Sequence, residues 1–187
     1  MHDAKGPNPW TGERPLDKGA LYRELATEID ALLQGESDPV ANAANAAAAI
    51  YHGLDRLNWA GFYLLRDGEL VLGPFQGRPA CVRIPMGRGV CGTAAASRRS
   101  VLVPDVHEFP GHIACDAASR SELVVPLIAD GRLLGVLDLD SPEPARFDAT
   151  DQAGCEAIAA VLVRHLGPAM LSCDPSHAAA TRCAPAR

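Results

Sequence analysis

The chain of 187 residues lacks the features of a membrane or secreted protein. No apolar run approaches the ~20 residues that a transmembrane helix needs. Hydrophobic residues make up 48% of the chain and charged residues 21%, as is typical of a globular domain. The first residues, MHDAKGPNPWTGERP, contain no apolar core of the kind that a secretory signal requires. We therefore expect a soluble cytoplasmic protein with reduced cysteines.

Basic clusters are also absent from the sequence. The formal net charge is -6, and lysine and arginine form no dense run. Proteins that bind nucleic acids or anionic membranes do so through basic surfaces, so we predict neither kind of partner. Small molecules and other proteins remain as candidate ligands.

The cysteines, at positions 81, 91, 115, 155, 173 and 183, form no C-x-x-C pair. Structural zinc sites usually contain such pairs, and a cytosolic chain seldom builds a disulfide scaffold. Catalysis is therefore the favoured use of these thiols. His107, His112 and Cys115 lie within nine residues, which leaves a metal site open, but this spacing is not a recognised zinc pattern. We predict no bound metal.

The apolar pattern predicts one α+β domain with about six strands, mostly antiparallel, covered by helices. Its elements follow the order helix, helix, hairpin, strand, helix, strand, hairpin, helix. Residues 1–17, rich in proline and glycine, are predicted to be an extended N-terminal arm, and residues 18–170 to be the domain. Gly167-Pro168 is expected to end the last helix. Residues 171–187 are predicted to form a disordered C-terminal tail.

A long polar loop, PDVHEFPGHIACDAASRSE from Pro104 to Glu122, separates two apolar runs. Loops of this length without periodicity are more often functional than idle. The loop contains Cys115, and His112 and Arg120 nearby favour the thiolate form that acts as a nucleophile. A buried apolar cysteine remains the alternative, because Ile113 and an alanine precede it.

Asp138 and Asp140 alternate with leucines, so both side chains leave the same face of one predicted strand. Two neighbouring carboxylates repel each other, and desolvation raises the pKa of at least one of them. Such a pair suits proton donation or the binding of an ammonium group. The alternative is two solvated acids at the end of a strand.

Trp59 and Tyr63 share one face of the first predicted strand, where they form either a pocket wall or part of the core. Cys91 falls in the first turn of a short predicted helix. The helix dipole would stabilise its thiolate there, so Cys91 competes with Cys115 for the role of nucleophile. Cys155, in the last helix, is expected to be structural.

Four segments resemble the free methionine-(R)-sulfoxide reductases, enzymes with the GAF fold. They are NWAGFYLL (58–65), LVLGPFQGRPACVRIPMGRGVCGTA (70–94), VPDVHEFPGHIACDAASRSELVVPL (103–127) and GVLDLDSP (135–142). The resemblance covers roughly residues 20–166. It implies a GAF-like α+β domain with a six-stranded, mainly antiparallel sheet flanked by helices, commonly as a homodimer.

The same resemblance implies thioredoxin-dependent reduction of free methionine-(R)-sulfoxide, with no bound cofactor and with NADPH as the electron source through thioredoxin reductase. It implies Cys115 as the nucleophile, a disulfide between Cys115 and Cys81, and Cys91 as a secondary resolving thiol. The acids Glu122, Asp138 and Asp140 would then surround the sulfoxide oxygen and the ammonium group. Trp59 is expected to line the substrate pocket, with Tyr63 as a second candidate.

Two other functions remain open. A GAF domain can be a sensory module that binds a small molecule without turnover, since the fold alone does not fix function. The same thiols would also suit a general thiol peroxidase or redox sensor. The clustered carboxylates would have no evident purpose in such a peroxidase.

Overall fold

The computed structural model describes residues 17–111 and 116–172, and the side chains of the last helix as far as 166. The helices are α1 (Lys18–Leu33), α2 (Pro39–Gly53), α3 (Gly89–Ser97) and α4 (Ala149–Ser172). The strands are β1 (Trp59–Arg66), β2 (Glu69–Gly77), β3 (Arg83–Pro85), β4 (Val101–Val103), β5 (Ser121–Ala129) and β6 (Arg132–Ser141). His112, Cys115 and nearly all of both predicted tails lie outside the described residues.

Aspartate side chains begin three of the helices. Asp38 accepts hydrogen bonds of 2.9 Å from the amides of Val40 and Ala41, and Pro39 occupies the first turn of α2. Asp148 caps α4 in the same way, and Asp17 accepts from an amide of α1. These bonds satisfy amide groups that have no partner inside the helix.

The predicted end of the last helix is wrong, because α4 continues through Gly167-Pro168 to Ser172. Proline lacks the N–H that would bond to the carbonyl of Arg164, four residues earlier. The helix therefore loses one backbone hydrogen bond at this point. The residues that follow include alanine, methionine and leucine, which favour helix strongly, so the backbone stays helical.

The six strands form one antiparallel sheet in the order β3-β2-β1-β6-β5-β4. The two predicted hairpins are β1-β2 and β5-β6, and β6 pairs with β1 at the centre of the sheet. This arrangement confirms the predicted α+β fold. The single strand between the first hairpin and α3 is β3, which begins at Arg83, so Cys81 precedes it.

The two faces of the sheet carry separate apolar clusters. Ala60 and Phe62 of β1 belong to the larger cluster, with residues of α1, α2 and α4. Trp59 and Tyr63 point to the opposite face and pack with α3, because neighbouring strand residues face opposite sides. Among the described residues, no helix is long and apolar enough to cross a bilayer.

A buried ion network fastens α4 to the rest of the domain. Asp151 accepts hydrogen bonds from Lys18 Nζ at 2.7 Å, Tyr22 Oη at 2.8 Å and Arg146 Nη1 at 2.8 Å. Burial alone would raise the pKa of Asp151, but the bonds from Lys18 and Arg146 outweigh it and lower that pKa. Cys155 lies 4.0 Å from Tyr22 Oη, and burial raises its pKa to about 12. An unreactive thiol of this kind fits the predicted structural role.

Candidate active site

The register of three strands brings the predicted acids and one aromatic residue together. Glu122 of β5 lies opposite Asp140 of β6, and Asp140 lies opposite Trp59 of β1. Directly opposed residues face the same side of a sheet, and Asp138, two residues from Asp140, shares that face. The sheet therefore presents three carboxyl groups and an indole ring towards α3.

These side chains line a cavity between the sheet, α3 and the segment around Asp116. It encloses about 520 Å³ of empty space, including solvent at its mouth. Six predicted site residues line it: Trp59, Tyr63, Cys91, Glu122, Asp138 and Asp140. Sequence reasoning missed several others, namely Arg78, Pro79, Ala80, Ile84, Gly89, Val90, Asp116 and Ser119.

Aromatic rings form one wall of the cavity. The Trp59 ring stacks on Tyr63, with 5.9 Å between centroids, and on Phe75, with 5.3 Å. Trp59 Nε1 donates to the carbonyl of Arg78 at 3.1 Å, and Tyr63 Oη donates to the carbonyl of Cys81 at 3.0 Å. With their polar atoms bonded, the rings offer apolar surface to a ligand.

The thiol of Cys91 and the carboxyl groups of Glu122 and Asp138 form a compact buried cluster. Their exposed fractions are 3%, 6% and 5%, and Cys91 Sγ lies 3.8 Å from Glu122 Oε1. Burial, and then the charges of Asp138 and Asp140, raise the pKa of Glu122 well above its usual range. Burial also raises the pKa of Asp138 to about 7, although hydrogen bonds from Cys91 and Glu122 act against it. The cluster therefore retains a proton near neutral pH.

Asp140 stands at the rim of this cluster and is partly exposed. Burial, followed by the charges of Asp138 and Asp116, raises the pKa of Asp140 well above its usual value. These shifts agree with the effect predicted for two acids on one strand face. In addition, Oδ1 of Asp138 is buried without a hydrogen-bond partner among the described residues, so it can accept a bond from a ligand.

Cys91 is the third residue of α3 and thus lies in its first turn, as predicted. The predicted stabilisation of its thiolate is wrong. Burial, and then the charges of Asp138 and Glu122, raise the pKa of Cys91 well above its usual value. The helix terminus contributes only about half a positive charge, which desolvation and two nearby carboxyl groups outweigh. Cys91 is thus a protonated thiol rather than a ready nucleophile.

The described structure places one of the other two candidate thiols. Cys81 is partly buried just before β3 and packs against the apolar cluster that contains Trp59 and Tyr63. Cys115 lies outside the described residues. Asp116, the next residue in the chain, lines the cavity.

Asn58 fastens the segment that follows Cys115 to the sheet. Its Nδ2 donates to Asp116 Oδ2 at 3.2 Å and to Ser119 Oγ at 3.0 Å. Its backbone amide donates to the carbonyl of Asp140 at 3.1 Å. No local sequence pattern predicts this contact, since Asn58 lies 58 residues from Asp116 along the chain.

Arg120, which lies close to Cys115 in the sequence, pairs with Asp105 in the structure. Its Nη2 donates to Asp105 Oδ2 at 2.9 Å, and the His107 ring lies 2.9 Å from the other oxygen of Asp105. The bond from Arg120, and then that from His107, lower the pKa of Asp105. Arg120 does not belong to the described lining of the cavity. The contact between Arg120 and Asp105 joins the two ends of the loop that runs from Pro104 to Glu122.

Of the three residues weighed as metal ligands and rejected on their spacing, His107, His112 and Cys115, the last two lie outside the described residues. Within the described part, one donor atom from each of Cys91, Glu122 and Asp138 lies within 4.8 Å of the others, close enough to share an ion. The raised pKa values show that protons can balance the charge of these groups. The absence of a bound metal stays a prediction.

Comparison with known proteins places this geometry in a family. Residues 38–166 match the GAF domain. Protein YtsP of Bacillus subtilis is 56% identical over 138 residues, which cover 73% of this chain and 85% of that protein. The free methionine-R-sulfoxide reductase of Escherichia coli is 50% identical over 151 residues, which cover 81% of this chain and 92% of the enzyme. The chain belongs to the GAF domain family, among the free methionine-R-sulfoxide reductases.

A solved structure supports the assignment of this GAF protein to that family. The free methionine-R-sulfoxide reductase of Neisseria meningitidis, solved in complex with its substrate, superposes with a TM-score of 0.81 and 47% identity. The match covers 86% of this chain and 97% of that one. Fold and family therefore agree with the resemblance seen in the sequence.

Proposed function

We propose that this chain reduces free methionine-R-sulfoxide to methionine. Its relatives in Escherichia coli and Neisseria meningitidis carry that name. The observation that carries the proposal is the cavity itself, where Glu122, Asp138 and Asp140 face the stacked rings of Trp59 and Tyr63. Reduction of a methionine sulfoxide needs a proton donor for the oxygen and an apolar surface for the S-methyl group. This cavity contains both side by side.

Two parts of the substrate match the cavity. Its S-methyl group packs against the ring of Trp59, with Tyr63 behind it. Its ammonium group pairs with an ionised carboxylate of the acid group, since opposite charges favour each other most where water is excluded. A methionine inside a peptide lacks that ammonium group, so the acids favour the free amino acid.

The reduction proceeds by transfer of oxygen to Cys115. The Cys115 thiolate attacks the sulfoxide sulfur, and one of Glu122, Asp138 and Asp140 gives a proton to the oxygen. The S–O bond of the substrate breaks and its oxygen, as hydroxide, bonds to the Cys115 sulfur. The bond between the two sulfur atoms breaks at the same time, so methionine leaves and Cys115 becomes a sulfenic acid. The substrate sulfur gains two electrons and the cysteine sulfur loses two. The raised pKa values of the three acids support this role, because a proton is present near neutral pH.

A second thiol then clears the sulfenic acid. The thiol of Cys81, or alternatively of Cys91, condenses with Cys115 to form a disulfide and release water. A dithiol of the thioredoxin type exchanges with that disulfide and restores both thiols, with NADPH as the electron source through thioredoxin reductase. We further propose a homodimer in the cytoplasm, where such a reductant is present.

A coupled assay tests the proposed function. The reduced full-length protein is mixed with thioredoxin, thioredoxin reductase and NADPH, and NADPH loss is followed with four oxidants in parallel. They are free methionine-R-sulfoxide, its S epimer, a peptide-bound sulfoxide and hydrogen peroxide. We expect turnover with the free R epimer and far less with the other three.

Each other outcome has a defined meaning. Absence of turnover with the free R epimer would contradict the proposal and favour a sensory module that only binds its ligand. Equal turnover with peroxide would favour a thiol peroxidase. Cys115→Ser should abolish activity, whereas Cys155→Ser, which changes a buried thiol of α4 outside the cavity lining, is the matched control.

A further inference from the structure

We propose that Arg78 binds the α-carboxylate of the substrate and so helps to select the free amino acid. This inference rests on the proposed function. Among the described residues that line the cavity, Arg78 is the only basic one. The acidic residues of that lining are Asp116, Glu122, Asp138 and Asp140, and each of them repels a carboxylate when it is ionised and offers it no positive charge when it is protonated.

The need for such a residue follows from the charges of the substrate. Free methionine sulfoxide carries an ammonium and a carboxylate group at neutral pH. An ionised carboxylate among the buried acids can pair with the ammonium group, but its negative charge disfavours the carboxylate group of the substrate. A carboxylate can enter this site at low cost only beside a positive charge, and the described lining provides one at Arg78.

The position of Arg78 fits contact with the end of a ligand. Its side chain is 77% exposed at the cavity mouth, while its backbone is held by the bond from Trp59 Nε1 at 3.1 Å. The side chain of a bound substrate that reaches inward from Arg78 therefore passes along the aromatic wall. This direction places the sulfoxide towards the acids and the carboxylate at the mouth.

The guanidinium group has capacity for a further anion. Arg78 Nη1 lies 3.6 Å from Asp116 Oδ1, which is an ion pair but too long for a hydrogen bond. Arginine presents five N–H donors in a planar fork that matches the two oxygens of a carboxylate. The substrate can therefore bind to Arg78 beside Asp116.

The ion pair with Asp116 suggests a competing, purely structural role. Arg78 would then hold the segment that follows Cys115, and its loss would slow every substrate equally. A carboxylate-binding role instead affects only substrates that have a carboxylate. The comparison of two substrates in one variant separates these roles.

The test compares free methionine-R-sulfoxide with its carboxamide, which keeps the ammonium group and lacks the carboxylate. Arg78→Gln is measured beside Arg83→Gln, which removes another exposed arginine paired with an acid, Glu69, outside the cavity lining. For Arg78→Gln we expect kcat/KM for the free amino acid to fall by about tenfold or more, mainly through KM, because one charge-assisted contact is lost. The carboxamide should change by less than about twofold. Arg83→Gln should leave both values unchanged.

Two results would overturn the inference. An equal fall for both substrates would assign Arg78 to the loop, and no fall for either would place the carboxylate elsewhere, for example at the first amides of α3. If the wild-type protein turns over neither substrate, the proposed function fails separately. Calorimetric titration of both compounds into wild-type and Arg78→Gln protein then decides the role of Arg78 by the same pattern in Kd.

Discussion

Replacement of Asp138 by asparagine should stabilise this protein at alkaline pH while it impairs the reaction. Burial raises the pKa of Asp138 from 3.8 to about 7. Between those two values the folded state holds a proton that the unfolded state has lost, so stability decreases as pH rises through this range. A shift of this size corresponds to about 4 kcal/mol of unfolding free energy at pH 8.

Asparagine is neutral at every pH, so Asp138→Asn removes that cost. We expect the free energy of unfolding at pH 8 to rise by about 2 to 4 kcal/mol, since the buried amide needs partners of its own. At about 2 to 4 °C for each kcal/mol, the thermal midpoint should increase by roughly 4 to 16 °C. Near pH 4.5, where wild-type Asp138 is protonated in the folded state, the gain should shrink to under about 1 kcal/mol.

Urea unfolding followed by circular dichroism at both pH values measures this effect. The matched control is Asp151→Asn, because Asp151 is also a buried aspartate but has a lowered pKa. Ionised Asp151 therefore stabilises the fold at neutral pH, and this stabilisation is lost as pH falls through its lowered pKa. Asp151→Asn breaks the buried pair with Arg146 and should cost about 3 to 5 kcal/mol. Equal destabilisation by both substitutions at pH 8 would refute the reasoning about Asp138.

Three further predictions concern catalysis. In the coupled assay, kcat/KM should fall as pH rises above about 7, because the acid group then loses its proton; a flat profile to pH 9 would contradict this. Asn58→Ala removes the bonds to Asp116 and Ser119, and kcat should fall by about tenfold or more, with Asn42→Ala on α2 as the control. Trp59→Ala should raise KM by about tenfold through lost apolar contact, whereas an unchanged KM would remove Trp59 from the substrate pocket.

The features of this site that depend on residues close together in the chain could be predicted from the sequence. Asp138 and Asp140 alternate with leucines, and Trp59 and Tyr63 lie four residues apart on one strand, so their shared faces follow from strand geometry alone. The cap at Asp38 also follows from neighbouring residues, because an aspartate followed by proline favours the start of a helix. Each of these predictions depends on residues that are neighbours along the chain.

The remaining features depend on contacts between distant segments. Asn58 meets Asp116 only after β1 and the loop before β5 have come together. The pKa of Cys91 follows from burial against two acids of other strands, which its position at the start of a helix did not reveal. The sequence analysis assigned no role to Arg78, whose carbonyl accepts a hydrogen bond from Trp59 Nε1 and whose side chain lines the cavity.

The central claim is that Cys115 takes oxygen from the free amino acid in this cavity, and a single-turnover experiment without any reductant tests it most directly. Reduced protein is mixed with excess free methionine-R-sulfoxide, and the methionine released per chain is counted after acid quenching. We predict one methionine per chain for wild-type protein and for the double variant Cys81→Ser/Cys91→Ser, since both retain the nucleophile. Cys115→Ser should release none. Methionine from Cys115→Ser, or none from the wild type, would contradict the account.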